Sequence, residues 1–326
     1  MARWIVRALG LVVLALAAAG AWVYWGLTHH PDAASYATRA PGPARTNVRV
    51  TYLGVSTLLF DDGETQIMTD GFFSRPSPVE LFAGKIAPNE RVIEASLARA
   101  GVKKLAALIV CHSHYDHALD TAVVANHTGA VVVGSQSTAN VARGGGVPED
   151  RIRTPALGET LSFGKFRISL LASRHVPNGY PTGTIDAPLE PPARANAWKL
   201  GAAYAVLIEH DGRALLVNGS AGFEPGALDG HKVDTAYLGV GALGKTTDGY
   251  MSDYWRETAT ATGARRVVAI HWDNFARPLD QPLQPLPQLV DDFPRSMDFL
   301  RRRGRETGVR IELPQGWQTF DAFASP

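Results

Sequence analysis

The dominant feature of the hydropathy pattern is a stretch with no polar positions to alternate. Ala8 to Leu27 (ALGLVVLALAAAGAWVYWGL) runs twenty residues without a charge, long enough to cross a ~30 Å hydrocarbon core as a helix. No face of it is polar, unlike the surface helix of a globular domain. The small residues Ala17, Ala18 and Ala19 would suit signal-peptide cleavage, but the apolar run continues through Trp22, Tyr24 and Trp25. Aromatics at that end suit a membrane interface. The reading is an uncleaved signal anchor over residues 1–27, with a cleaved signal as the alternative. Arg3 and Arg7 precede the span, and the next basic side chains are Arg39 and Arg45. The positive-inside rule then puts the N-terminus in the cytoplasm and the rest of the chain outside it, facing the periplasm of a bacterial-type inner membrane.

Residues 28–46 (THHPDAASYATRAPGPART) show no periodicity and read as a tether, with His29 and His30 solvated. A periodic body runs from Asn47 to the last residue. Val48, Val50 and Tyr52, then Thr57 and Leu59, alternate as strands do, and DDGE (61–64) turns the chain into a third strand ending at Asp70. PNERVIEASLARAGVKK (88–104) has good helix formers, a closing Gly101 and trailing lysines, which predicts a helix. LAALIV (105–110) is a continuous apolar strand, and AVVVG (130–134), FRISLLASRH (166–175), VDTAYLGVG (233–241) and RRVVAIHW (265–272) are further strands. Residues 203–220 read as a hairpin turning at Asp211-Gly212, and SDYWRETATATG (252–263) as a helix. Strands alternate with helices and hairpins occur in both halves, so the fold class is α/β with mixed sheets. The halves echo each other in pattern, not in sequence.

Composition narrows the function. Hydrophobic residues make up 45 % of the chain and charged residues 19 %, ordinary globular usage. Lys plus Arg number 32 against 31 for Asp plus Glu, so there is no basic footprint for nucleic acid. The single cysteine, Cys111, excludes an intrachain disulfide and leaves the redox compartment open. There is no GxSxG, and NGSAG (218–222) lacks the spacing of a nucleophile elbow. ARGGGVPED (142–150) reads as a loop rather than a nucleotide cradle.

Histidine is scarce, ten in 326 residues, yet three fall in HSHYDH (112–117) at the end of one apolar strand. Four strands end in groups able to bind or orient a metal: Asp70, the His112 cluster, His175 and His271. Strand ends on one side of a sheet converge on a common crevice. His112 and His114, two apart on an extended segment, face the same way. Asp116 and His117 then add an oxygen and a nitrogen as the chain turns. Imidazole with carboxylate is a donor set suited to zinc. His127, His210 and His231, each alone in a loop or turn, read as structural or surface residues.

HSHYDH matches the HxHxDH signature of the metallo-β-lactamase superfamily. The order Asp70, His112 to His117, His175, NGS, His271 resembles that family's five motifs across residues 48–273. VTYLGVSTLLFDDGETQIMTDGFF (50–73) is similar to the branch of ascorbate-6-phosphate lactonase and N-acylphosphatidylethanolamine phospholipase D. The resemblance implies a four-layer αβ/βα sandwich with two mixed sheets over residues 47–326. It implies that His112, His114 and His175 hold one zinc, and that Asp116, His117 and His271 hold a second, with Asp116 and His117 at the reacting centre. One zinc instead of two is the alternative. Asp70 would sit behind the ligands and fix the orientation of one of them; a turn role before Gly71 is the other reading.

Many relatives end the fourth motif in Gly-Asp, with that aspartate bridging both metals; here the residues are Gly219-Ser220. A neutral hydroxyl leaves the centre about one charge more positive, which favours an anionic reacting group and can also hold the second metal more weakly. The third subclass of true metallo-β-lactamases also carries a serine there. The implied activity is hydrolysis of an ester, lactone or phosphodiester, with a β-lactam as a side activity. A non-catalytic metal-binding scaffold is the rival, and a nuclease is disfavoured by charge and export. Two long loops, 176–201 and 273–289, follow His175 and His271, and loops at strand ends usually carry specificity. Phe72, Phe73, Tyr180, Trp198, Trp272 and Phe275 are candidates to line an apolar pocket. With an anchor beside it, such a pocket permits a lipid or acylated small-molecule substrate. The oligomeric state is open.

Overall fold

The alternating segments sort their side chains to two faces, and in the computed structural model, which describes residues 2–38, 46–177 and 179–323, they form two seven-stranded mixed sheets. The first sheet takes β1 (Arg49–Tyr52), β2 (Leu58–Asp61), β3 (Gln66–Thr69), β4 (Ala107–Ile109), β5 (Val131–Val133) and β6 (Ile152–Arg153). The second takes β7 (Thr160–Phe163), β8 (Phe166–Ser173), β9 (Ala203–His210), β10 (Arg213–Asn218), β11 (Thr235–Gly239), β12 (Arg266–Ile270) and β13 (Arg310–Glu312). The last strand, β14 (Thr319–Asp321), returns to pair with β1. The strand orders are β14-β1-β2-β3-β4-β5-β6 and β13-β12-β11-β10-β9-β8-β7. Strands β3 to β6 are parallel, as are β10 to β13, and antiparallel hairpins complete each sheet. The echo between the halves is therefore one sheet per half, with β14 the exception.

Helices α1 (Ala2–Thr28), α2 (Pro78–Ala83), α3 (Glu90–Arg99), α4 (Tyr115–Ala118), α5 (Thr121–Thr128), α6 (Gln136–Gly144), α7 (Asp248–Trp255) and α8 (Phe293–Thr307) fill the connections. Phe60, Ile67 and Ile109 belong to the core between the sheets, while their neighbours Leu59, Met68 and Leu108 pack with Ile93, Val124 and Ala139 of α3, α5 and α6. That is the period-two sorting of a strand buried on both faces. Phe60 meets Tyr237 of the opposite sheet edge-on at 5.8 Å, and each such buried side chain contributes ~1.5–3 kcal/mol. Helices α7 and α8 cover the second sheet. The result is the expected four-layer αβ/βα sandwich.

Several boundaries differ from the sequence reading. The helix predicted over 88–104 spans 90–99, because Asn89 caps it by accepting from Val92 N–H at 3.3 Å. The helix predicted from Ser252 begins at Asp248, where Thr247 accepts from Tyr250 N–H at 3.2 Å. Its second half, Arg256–Thr260, widens into a π-turn. ARGGGVPED is not wholly a loop, since Ala142 to Gly144 close α6.

The apolar run is helical to Thr28, and Gly10–Thr28 is long and apolar enough to cross a membrane, with 6 % of it buried. The tether reading is corrected in part. His30 is half-buried, not solvated, and its Nδ1 bonds Pro285 O at 2.8 Å. Ala33 is buried, and Tyr36 packs edge-on to Phe293 at 5.3 Å beneath the Arg301 guanidinium. Residues 39–45 of the expected tether lie outside the described residues.

Candidate metal centre

Parallel pairing sets the site, because strands that run the same way end at the same edge. β3, β4, β10 and β12 deliver Asp70, His112, Ser220 and His271 there, and β8, antiparallel to β9, delivers His175. The extended segment after β4 is strapped down before it turns. Cys111 O accepts from Tyr204 N–H at 2.9 Å, and Ser113 N–H and Oγ–H donate to Leu200 O at 3.0 and 2.9 Å. His114 then opens the four-residue α4, which carries Asp116 and His117. Gly219 permits the close pass of β10 over β4, since a Cβ there would lie 2.9 Å from Cys111 Sγ. Gly222 does the same for the His175 segment, whose Arg174 O leaves no room for a side chain. Asp70 and His271 both hold positive φ, 56° and 53°, strain of the kind that persists where surrounding structure over-determines it. His271 N–H is fixed by Val55 O at 2.7 Å.

Two trios result. His112, His114 and His175 each offer one ligand atom, as do Asp116, His117 and His271, and within each trio these atoms lie within 4.8 Å of one another. In the second trio His271 Nε2 stands 3.2 Å from His117 Nε2 and 3.2 Å from Asp116 Oδ2, and His117 Nε2 stands 3.7 Å from Asp116 Oδ2. A tetrahedral ion with bonds of ~2.0–2.1 Å spaces its donors about 3.3 Å apart, so the three atoms frame a volume of that size. Three of the outward nitrogens are already occupied, while His271 Nδ1 is buried with no partner among the described residues. His114 Nε2 bonds Pro181 O at 3.0 Å, His175 Nδ1 bonds Val176 O at 2.8 Å, and His117 Nδ1 bonds Asp70 Oδ2 at 2.7 Å. Each bond fixes a tautomer and leaves the inward nitrogen with a free lone pair, as metal-binding histidines require. His112 Nε2 is buried with no partner among the described residues. The residues fit a metal.

Electrostatics agree. Burial, then the neighbouring imidazoles, push His112 well below the ordinary histidine value; burial and His114 push His175 down to about 4. Burial also lowers His114, with Asp116 opposing. Burial opposes the charge of Asp116, but His117 and His271 outweigh it and hold the carboxyl below its usual range. For His117, burial is outweighed by Asp70 and Asp116, and the value rises. Neutral His112, His114 and His175 are therefore ready ligands, whereas His117, held toward its protonated form by the two carboxylates, would release a proton to a metal.

The family described as "Beta-lactamase superfamily domain" matches residues 65–272. The chain belongs to the metallo-β-lactamase superfamily. A UPF0173 metal-dependent hydrolase of Rhizobium etli is 28 % identical over 128 residues, covering 39 % of this chain and 48 % of that protein. Another from Methylobacterium nodulans is 29 % identical over 149 residues, covering 42 % and 57 %. The chain thus spans about half the length of the curated relatives it matches. Among solved structures, the isothiocyanate hydrolase from Delia radicum gut bacteria is similar at TM-score 0.53 and 18 % identity, covering 85 % of this chain and all of that one. CmlA, a diiron β-hydroxylase of Streptomyces venezuelae, is similar at TM-score 0.52 and 18 % identity, covering 86 % and 55 %. At these identities the likeness is one of fold.

Other residues of this superfamily member part company with the sequence reading. Phe72, Phe73, Trp198 and Trp272 are core, each 1 % exposed or less. Tyr180 and Phe275 do line the cavity of about 240 Å³ beside the trios, together with Tyr115, Leu286, Val290 and Asp291. Ser220 lines it too, with its Oγ accepting from Val176 N–H at 3.0 Å. His210 ends β9 rather than sitting in a loop, buried and bonded to Asp62 Oδ2 at 2.9 Å. His127 lies in the last turn of α5, near Glu94 at 3.6 Å, and His231 is half-buried in a turn. Asp273 and Arg75 went unread, although they hold the His271 segment. Asp273 accepts from Tyr52 O–H at 2.9 Å and Val55 N–H at 2.7 Å, and it meets Arg75 at 2.7 Å with both side chains fully buried. One signal was available: an aspartate two residues after the strand-end histidine.

Proposed function

We propose that the protein is a membrane-anchored, zinc-dependent hydrolase of an ester, lactone or phosphodiester in an anionic or acylated small molecule or lipid. The observation that carries this is the pair of donor trios, in which the outward nitrogens of His114, His175 and His117 are already bonded to Pro181 O, Val176 O and Asp70. When bound, zinc at such a centre brings the pKa of water toward neutrality and polarises a carbonyl or phosphoryl oxygen. The chain's own residues do the rest. Asp70 holds His117 in one tautomer, taking the Nδ1–H bond at 2.7 Å while its Oδ1 accepts from Cys111 N–H at 2.8 Å. Asp116 stays ionised and supplies the only carboxylate within the two trios. Tyr115, Tyr180 and Phe275 wall the cavity with rings packed against one another. The relatives' names as metal-dependent hydrolases support the reaction class, and the apolar α1 supports anchoring.

The test joins metal content to turnover. Detergent-purified protein, after zinc loading and dialysis, should retain one to two equivalents of zinc by elemental analysis, iron being measured alongside. It should turn over a phosphodiester or lactone probe, and His112→Ala or His114→Ala should lose zinc and nearly all turnover while His231→Ala keeps both. Less than a tenth of an equivalent would sink the proposal. Zinc retained with no turnover across an ester, lactone and phosphodiester panel would leave a metal-binding scaffold instead.

A further inference from the structure

The wall of the cavity facing α1 is not independent of the anchor. Leu286 and Val290 line the cavity, and the two residues between Pro287 and Val290 are bonded to the end of the apolar helix. Leu289 N–H donates to Gly26 O at 3.0 Å, Gln288 N–H donates to His29 O at 3.1 Å, and His30 Nδ1 bonds Pro285 O at 2.8 Å. Contact at Gly26 is close: a Cβ there would lie 3.1 Å from Leu289 Cβ. The rest of the helix projects away, with Trp22 and Trp25 61 % and 50 % exposed. Trp22 lies four residues before Gly26, about 6 Å along the axis, so the aromatic belt that marks a membrane interface sits one helical turn from the cavity wall. The other side of the mouth is apolar as well. Tyr180 lines both the cavity and a recess beside Phe82, and Val79 and Phe82 of α2 are 75 % and 88 % exposed.

We infer that the last turn of α1 backs the 285–291 loop, which forms one wall of the metal cavity, so that the cavity mouth opens at the bilayer surface and receives the apolar part of an amphiphile directly from the membrane. This rests on the anchored-hydrolase reading, to which it adds a route of entry and a structural role for the anchor. The helix end thereby positions the loop as well as tethering the body. An amphiphile's scissile group would reach the trios while its chain leaves past Val290, never crossing bulk water.

Cys111 is the chain's single cysteine and is buried, so Val290→Cys introduces the one accessible thiol for a fluorescent label. The labelled full chain is reconstituted in phosphatidylcholine–phosphatidylglycerol vesicles carrying a nitroxide near the headgroup. The label at 290 should lose most of its fluorescence, whereas one at Glu64→Cys, in the β2–β3 turn at the opposite end of the sheet, should keep it. Protein that floats with the vesicles yet shows equal quenching at 290 and 64 overturns the membrane-facing mouth while sparing the anchor. Protein that does not float overturns both. A second arm uses Gly26→Leu, which drives a side chain into Leu289. Amide exchange at Gln288 and Leu289 should speed by about tenfold or more, as for a locally loosened segment, with zinc content unchanged. Unchanged exchange would show that helix end and loop are independent.

Discussion

Ser220 stands where the family resemblance implies a bridging aspartate, and it has an identifiable neighbour on each side. Its Oγ accepts from Val176 N–H, next to His175, and its own carbonyl accepts from Asn218 Nδ2 at 3.0 Å. Ser220→Asp places a carboxylate in the cavity beside the two donor trios, where added negative charge should tighten metal binding. Slower zinc loss to a chelator is the expected outcome. The acidic limb of the pH–rate profile should also move to higher pH, because the metals become weaker Lewis acids. Asn218→Asp should leave zinc retention alone but lower stability, since its amide also donates to Gly222 O at 2.8 Å and an aspartate cannot donate either bond. Chelator kinetics that respond to Asn218→Asp and not to Ser220→Asp would show that the serine is not the residue between the metals.

Among elements, the loops joining β1 to β2 and following β12 are locked together by Arg75 and Asp273, and the lock sets where His271 stands. Val55 is the hinge of that arrangement, donating its N–H to Asp273 and accepting from His271 N–H. Burial raises the carboxyl of Asp273, but Arg75 together with the hydrogen bonds from Val55 and Tyr52 outweighs it and the net direction is down. Arg75→Met leaves a buried carboxylate unpaired, a loss of about 3–5 kcal/mol, visible as a lower Tm at pH 7. The sign of the pH effect follows. A carboxyl depressed in the folded state contributes stability that is fully present above its unfolded value of about 3.9 and is lost as pH falls through the folded value. Wild type should therefore weaken in acid, and its Tm advantage over Arg75→Met should shrink there as Asp273 of the variant takes up a proton. A constant gap from pH 7 to pH 3 would contradict this assignment.

At the scale of the whole molecule, the apolar helix with the segment after it and the body are joined more closely than a tether would allow, through Gly26, His29, His30 and Tyr36. The expected topology is testable in cells: a reporter fused after Pro326 that is active only outside the cytoplasm should be active, and cytoplasmic activity from the full-length fusion would reverse the orientation. How much of this was legible beforehand depended on whether the signal is local. The apolar span, the strands after Asn47, the hairpin at Asp211-Gly212 and the HSHYDH cluster could all be read, because periodicity, turn chemistry and residue clustering are properties of neighbouring positions. The union of Asp70, His175 and His271 with that cluster was inferred from strand ends, a rule about sheets that holds without coordinates. What only the tertiary structure decided were pairings between positions far apart in the chain. Arg75 with Asp273, Gly26 with Leu289, His210 with Asp62, and the sorting of Phe72 and Trp198 into core but Tyr180 and Phe275 into the cavity are such pairings. No short window carries their signal, since a polar or aromatic residue has the same local pattern whichever distant partner the fold brings to it.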